Sequence, residues 1–202
     1  MMAALKRKHL QEQVVLDDDS DTMVGLVGKR VIPILVKDDG APMLESMDMV
    51  HYIEGLGPPV LIGPQRPEIA AWADAVVAKT SPLTMPRYPL LGLPEFATVA
   101  AHDHYVVRKR KTYGDLVELR SHTREQIKAL MPSLEQLDGL IESPQAVNGT
   151  QSLDDIRVLP LLRSAAVVKG LSFPRRVRDY FENHDGPHRL QAAAGGVRGC
   201  HE

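Results

Sequence analysis

Cysteine is almost absent from this chain, since one residue, Cys200, occurs among 202. A single thiol cannot form an intramolecular disulfide, which excludes a disulfide-stabilised secreted scaffold and fits a reducing compartment. Apolar runs of the roughly 20 residues that a transmembrane helix needs are also missing. The N-terminal residues contain no apolar core of the kind found in signal peptides. We therefore expect a cytoplasmic protein that does not cross a membrane.

The net charge is small, and the histidines are not spaced to bind a metal together. The net charge of −2 argues against general affinity for nucleic acid or anionic membrane. The longest basic run, 108–111, falls at the end of a predicted helix, where it complements the helix dipole, and no aromatic residues interleave with it. His102 and His104 are two residues apart, so on a helix they point to different faces. The sequence predicts neither a nucleic-acid partner nor a metal.

The most informative stretch runs from Arg30 to Tyr52. The apolar run over 31–36 predicts a short strand, which Pro33 confines to a strand start or an edge. Asp39 and Gly40 form a strong turn signal, and residues 42–44 can return as a second strand. Ser46 is a good N-cap for the helix that follows. The predicted apolar stripe of that helix is Met47, Val50 and Ile53.

The start of this helix has two interpretations. Ser46 offers a hydroxyl, exposed amides and the positive end of a helix dipole, which together suit a carboxylate, and Glu45 beside it could hold an ammonium group. The simpler interpretation is an ordinary capped helix after a hairpin, because serine is common at N-caps. The residues alone leave both open.

The remaining N-terminal residues predict a helix over 1–11, a short strand over 13–16, an acidic loop over 17–21 and a short helix over 22–28. Residues 55–67 are rich in proline and glycine and predict a linker.

The second half of the sequence is helical. Trp72 is expected in the core or at a domain interface, and Ser152 with Asp155 resembles a capping box. Arg87 could face a cleft or be solvated in a loop. Helices are predicted over 67–79, 95–111, 121–141, 156–168 and 175–182, with an irregular proline-rich segment over 81–94 and a frayed tail from 183 that holds Cys200.

Two segments resemble a known family. They are I-P-I-L-V-K-D-D-G-A-P-M-L-E-S-M-D-M-V-H-Y-I, from Ile32, and N-G-x-x-S-x-D-D-I-x-x-x-P-L-L-R, from Asn148. Both are similar to the bacterial glutaredoxin-2 family, which has a glutathione-transferase-like two-domain architecture. The resemblance implies an α/β thioredoxin-like domain with its first strand missing, followed by an all-α domain. The expected boundaries are 1–56 for the first domain, 57–67 for the linker, 68–190 for the helical domain and 191–202 for a flexible tail.

The resemblance also implies a binding site for glutathione as co-substrate. It implies a cis peptide bond between Ile32 and Pro33, with the backbone of Ile32 pairing with the cysteine portion of the tripeptide. Glu45 and Ser46 would bind its γ-glutamyl end. Implied partners are glutathione and disulfide-containing or glutathionylated proteins, with a monomeric protein and no metal.

One departure from the family concerns the catalytic cysteines. The family carries a C-P-x-C motif ahead of its first helix, and Met1 to Lys6 look like the continuation of that helix. We therefore expect a truncated gene or a misassigned start, and a chain that is inactive in disulfide exchange. The alternatives are a non-catalytic glutathione-binding or interaction protein on the same scaffold, and a glutathione transferase.

Overall fold

The computed structural model describes residue 11 and residues 13–185. They divide into two compact units. Unit 1 takes the residues up to Val60 together with Pro94–Tyr105, and unit 2 takes Leu61–Leu93 and the residues from Val106 onward. Apart from Gln11, the helix predicted over 1–11 lies outside the described residues, and so does the tail with Cys200.

Unit 1 begins with an irregular segment and a short helix, α1 (Ser20–Val27). Asp19 caps this helix, because its Oδ1 accepts a hydrogen bond from the Thr22 amide at 3.0 Å. Gly28 ends it with a φ of +72°, a left-handed conformation that glycine adopts without a steric penalty. The predicted short helix is confirmed, whereas the acidic loop ends earlier than expected, since Asp19 already caps the helix. The strand predicted over 13–16 is wrong, because those residues pair with no strand in the described chain.

A two-stranded antiparallel hairpin follows, formed by β1 (Leu35–Val36) and β2 (Pro42–Met43). The predicted turn is confirmed: Gly40 has a φ of +80°, and Oδ1 of Asp39 accepts from the Ala41 amide at 2.9 Å. The first strand is shorter than the apolar run because Pro33 cannot donate to a ladder.

The helix after the hairpin is α2 (Ser46–Gly55). Its buried side chains are Met49, Val50 and Ile53. The predicted stripe is therefore right at Val50 and Ile53, whereas Met47 is only half-buried. The segment from Leu56 to Arg66 contains no helix or strand.

Unit 2 is helical and contains the larger core. Trp72 is buried in it and donates its indole N–H to the carbonyl of Ser133 at 2.7 Å, which confirms the expected core position. Helix α3 packs against α6 and α7, and α8 packs against the same two helices. The helices are α3 (Pro67–Thr84), α4 (Val99–Tyr113, which begins in unit 1), α5 (Leu116–Ser121), α6 (Thr123–Leu140), α7 (Leu153–Ala166) and α8 (Arg175–Asp185).

Several helix ends differ from the prediction, and three of these differences have a clear outcome. Helix α3 continues through Pro82 to Thr84. Helix α4 starts at Val99 rather than 95, because the hydroxyl of Thr98 accepts a hydrogen bond from the Ala101 amide at 3.1 Å. Helix α8 extends to Asp185, and its last turn is held by a contact of 2.9 Å between Nε2 of His184 and the carbonyl of Gln145. Residues 183–185 are therefore helical rather than frayed.

The predicted capping box at the start of α7 is confirmed. The Ser152 side chain caps the helix, and Oδ2 of Asp155 accepts from the Ser152 amide at 2.8 Å. Oδ2 of the neighbouring Asp154 accepts from the Arg66 amide at 2.8 Å and from the Asn148 side chain at 2.7 Å. This buried polar network fixes the segment before α3 to the start of α7. Among the described residues, none of the helices is both long and apolar enough to cross a membrane.

Candidate functional site

The predicted site residues lie at one end of the hairpin of unit 1. The strand register pairs Leu35 with Met43. Pro33 and Ile32 lie two and three residues before Leu35, and Glu45 and Ser46 lie two and three residues after Met43. Since a strand rises about 3.3 Å per residue, all four residues lie within roughly 10 Å, along the chain, of the last strand pair.

Ile32 presents both side chain and backbone at this end. The Ile32–Pro33 peptide bond is cis, as the resemblance implied. Ile32 is 60% exposed, which is unusual for a large apolar residue beside a sheet. Within the described part of the chain, no hydrogen bond engages its amide or its carbonyl. A second extended chain can therefore pair with these groups.

The start of α2 differs from the predicted cap. The N-cap residue is Glu45, with extended backbone (φ −92°, ψ 122°), and Ser46 is the first helical residue. No side chain caps the helix, so the first-turn amides of Ser46, Met47 and Asp48 stay open among the described residues. Open amides at a helix N-terminus favour an anion, although the acidic Asp48 lies in the same turn.

The side chains of Glu45 and Ser46 are available to a ligand. Both residues are exposed, and in the described chain neither side chain forms a hydrogen bond or an ion pair. A carboxylate therefore stands directly beside open amides and a free hydroxyl. This arrangement suits a group that carries a positive and a negative charge close together.

A cluster around Asp17, a residue expected in an acidic loop, was not predicted. The Asp17 side chain is buried, with Oδ1 at 3.4 Å from the Arg30 guanidinium and Oδ2 at 2.9 Å from Nδ1 of His104. Arg30 also donates to the Asp17 carbonyl at 2.5 Å. Because Arg30 lies two residues before Ile32, this cluster anchors the chain that enters the site. The distances in sequence between the three residues gave no local signal of it.

The described residues were also compared with the needs of a metal centre. In the chain from residue 13 to 185, no group of three or more His, Cys, Asp or Glu side chains converges as a metal site would require. The side chain of Arg87, which the sequence left between a cleft and solvent, is half-buried in unit 2, where it donates to Thr123 Oγ1 at 2.7 Å.

Comparison with known proteins agrees with this architecture. The family model described as "Glutaredoxin 2, C terminal domain" matches residues 68–186. Glutaredoxin 2 of Escherichia coli K12 is 40% identical over 184 residues, which cover 91% of this chain and 86% of that protein.

Two solved structures extend the comparison. Glutaredoxin 2 from Salmonella typhimurium, solved in complex with glutathione, is 35% identical with a TM-score of 0.84 and covers 96% of this chain and 87% of its own. The glutathione transferase GSTFuA2 from Phanerochaete chrysosporium, at 17% identity, has a TM-score of 0.59 and covers 98% of this chain and 88% of its own, so it supports the fold alone.

The fold is thus glutathione-transferase-like, with a thioredoxin-like first part and an all-α second part, and the protein is glutathione-related. Within that class, the chain belongs to the glutaredoxin 2 family.

Proposed function

We propose that the hairpin end of unit 1 binds glutathione through Ile32, Pro33, Glu45 and Ser46, and that the protein serves glutathione-dependent thiol–disulfide exchange of the glutaredoxin-2 type. The observation that carries this proposal is the uncapped start of α2, where open amides stand next to an exposed carboxylate. The glutathione in the Salmonella typhimurium relative supports the same ligand.

The γ-glutamyl end of glutathione matches the start of α2 in charge. It carries a carboxylate and an ammonium group on one carbon. The carboxylate binds the hydroxyl of Ser46 and the first-turn amides, where the helix dipole favours negative charge. The ammonium group binds the carboxylate of Glu45. The unpaired amide and carbonyl of Ile32 bond the cysteine portion of the tripeptide, in the manner of an added strand.

Disulfide exchange needs a protein thiolate in addition to this glutathione-binding site. That thiolate attacks the glutathionyl sulfur of a mixed disulfide, forms a protein–glutathione disulfide and releases the substrate as a thiolate. A glutathione thiolate then attacks the protein–glutathione disulfide, which yields oxidised glutathione and restores the protein thiolate. The only cysteine of the 202 residues, Cys200, belongs to no C-P-x-C motif. Exchange therefore requires a form of the protein that carries such a motif, and we expect the 202-residue chain by itself to be inactive in disulfide exchange.

The substrates in this proposal are disulfide-containing or glutathionylated proteins, and the protein acts as a cytoplasmic monomer. Its domain boundaries are those expected from the sequence, with 1–56 as the glutathione-binding part, 57–67 as the linker and 68–190 as the helical part, while the tail, 191–202, lies outside the described residues. Limited proteolysis tests the boundaries. Cleavage confined to 57–67 and to the tail supports them, and early cleavage within α3 to α8 contradicts them.

Activity is tested on two proteins, the 202-residue chain and a version extended to any upstream in-frame start. Both are assayed for glutathione-dependent reduction of the mixed disulfide of glutathione and 2-mercaptoethanol. Activity in the extended protein alone supports the proposal. An upstream sequence without an in-frame C-P-x-C motif, or an inactive extended protein, contradicts the oxidoreductase assignment.

Binding is tested separately by calorimetry on the 202-residue chain with S-methylglutathione, which cannot exchange disulfides. We expect Ser46→Ala and Glu45→Gln each to weaken binding by about tenfold, since each removes a hydrogen bond with a charged partner. The exposed residues Ser172 and Glu135 provide matched controls as Ser172→Ala and Glu135→Gln. Equal affinities in all four variants would reject the proposed site while leaving the activity result intact.

The alternative function is non-catalytic glutathione binding, which the single cysteine favours. It predicts S-methylglutathione binding by both proteins and disulfide reduction by neither.

A further inference from the structure

A second candidate site lies in unit 2. A cavity of about 610 Å³ opens where α6 begins, beside the loop between α7 and α8. This volume falls within the usual range for small-molecule pockets, about 300–1,000 Å³. Its lining residues are Ser121, Thr123, Arg124, Glu125, Ile127, Lys169 and Gly170.

The cations that line this cavity form no ion pair within the described chain. Arg124 and Lys169 are exposed, and in the described chain neither side chain forms a hydrogen bond or an ion pair. Glu125 is the single carboxylate among the lining residues. It balances one of the two positive charges at most, so the lining keeps a net positive charge.

Two further arginines add to this charge. Arg87 donates to Oγ1 of Thr123, a lining residue, at 2.7 Å, and that hydroxyl donates in turn to the carbonyl of Arg120. Burial, followed by the positive charge of Arg120, lowers the pKa of Arg87. Neither guanidinium meets a carboxylate in the part of the chain that the structure describes. Arg124 and Lys169 thus line the cavity, and Arg87, which contacts the lining residue Thr123, and Arg120 add positive charge beside it.

The N-terminus of α6 also contributes positive potential to this cavity. Its N-cap residue, His122, makes no side-chain cap. The positive end of the α6 dipole adds to the potential of the side chains, and Glu125 in the first turn and the C-terminus of the short helix α5, which also ends at His122, offset only part of it. An arginine guanidinium matches phosphate oxygens in a two-pronged geometry, and a phosphate dianion neutralises more of this charge than one carboxylate would.

We propose that this cavity binds a small organic molecule that carries phosphate groups, held by Arg124 and Lys169 with Arg87 and Arg120 supplying the surrounding positive potential. The site shares no residue with the proposed glutathione site.

Calorimetry on the full chain with inorganic pyrophosphate as the probe tests this proposal. The variant Arg124→Gln/Lys169→Gln should lose about tenfold or more in affinity, as expected when hydrogen bonds between charged groups are removed. The control Lys29→Gln/Lys111→Gln removes the same charge from exposed lysines outside the lining and should bind as the unmodified protein does. Binding should weaken as salt rises, because exposed charges are screened.

Amide NMR shifts of the unmodified protein locate the probe whether or not the variants fold. Pyrophosphate should move the amide signals of residues 123–125 and Gly170. Shifts elsewhere, absent binding, or equal losses in the two double variants would overturn the proposal. Citrate that binds as tightly as pyrophosphate would overturn the phosphate specificity. Binding of S-methylglutathione should be unchanged in both double variants, which separates this result from that of the proposed function.

Discussion

Tyr180 donates its hydroxyl hydrogen to Oδ1 of Asp155 at 2.8 Å, and both side chains are buried. The same oxygen accepts from the Val147 amide at 2.8 Å, while Oδ2 accepts from the amide of Ser152, also at 2.8 Å. One carboxylate thus joins α8, the turn before α7 and the start of α7. Burial and then the negative charge of Asp155 raise the pKa of Tyr180 above the ordinary tyrosine value.

Replacing Tyr180 by phenylalanine should destabilise the protein without changing its fold. The substitution removes a hydrogen bond to a buried carboxylate, which contributes about 1.5–3 kcal/mol. Urea unfolding measures the difference in the free energy of unfolding. Tyr113→Phe is the matched control, since the Tyr113 hydroxyl has no hydrogen bond among the described residues. Equal stabilities of the two variants would show that the Asp155 contact contributes nothing.

Gly63 lies where no side chain fits. A Cβ atom there would stand 2.8 Å from the carbonyl carbon of Thr150 and closer still to its oxygen, and this backbone group cannot rotate away. The Gly63 amide also donates to the carbonyl of Gln151 at 2.7 Å. We expect Gly63→Ala to break this contact and to destabilise unit 2 by about 1–3 kcal/mol, the range for overpacking.

The control for Gly63 is Gly139, which lies in α6 with open space where a Cβ atom would be added. Gly139→Ala should stabilise the protein by up to about 1 kcal/mol, because alanine favours the helix. Thermal unfolding of both variants measures the two shifts, which should have opposite signs. A neutral Gly63→Ala would mean that the segments at Gly63 and Thr150 separate easily.

The sequence predicted those features that local chemistry determines. Asp39 and Gly40 specify a turn whatever surrounds them, and the Ser152 box caps its helix with residues three apart. The cis peptide bond between Ile32 and Pro33 was predicted only from the family resemblance, because the residues alone did not indicate it. Local signals also ranked Ser46 as a cap, but the backbone turns helical one residue earlier than that pattern implied.

Features that depend on distant residues could not be predicted. Asp17 meets Arg30 and His104 only because the chain brings three separate segments together. Residues 13–16 were predicted as a strand but do not form one, because an apolar run becomes a strand only where another strand pairs with it. Both outcomes are decided by tertiary contacts, which periodicity and capping patterns do not report.

The stability of the hairpin depends on pH through the carboxylate of Asp39. The hydrogen bond from the Ala41 amide, followed by that from the Lys37 side chain, lowers the pKa of Asp39 below its ordinary value of 3.8. A lowered folded-state pKa means that the carboxylate stabilises the fold above about pH 4 and that this contribution disappears as the pH falls through the folded-state value. Asp39→Asn should therefore be less stable than the unmodified protein at neutral pH and equal to it in acid.

Stability curves against pH measure this difference directly. Asp38→Asn, which alters an exposed neighbour without a bond to its side chain in the described chain, controls for the change in net charge. A gap between Asp39→Asn and the unmodified protein that persists at low pH would contradict the assignment.

Asp17 should matter for ligand binding although it lies outside the proposed glutathione site. Asp17→Ala removes the carboxylate that contacts Arg30 and His104, so Arg30 keeps only its bond to the Asp17 carbonyl and the His104 ring loses its contact with the carboxylate. Leaving a polar group without its partner costs about 1–3 kcal/mol. The loss should appear as faster amide hydrogen exchange over 31–36, because Arg30 leads into that segment, and as weaker binding of S-methylglutathione. Exchange in α6 and α7 should not change, since these helices belong to unit 2.

Asp18→Ala is the matched control, because Oδ1 of Asp18 is buried without a hydrogen-bond partner among the described residues. Similar exchange over 31–36 in both variants would show that the Asp17 cluster does not hold the entry to the site.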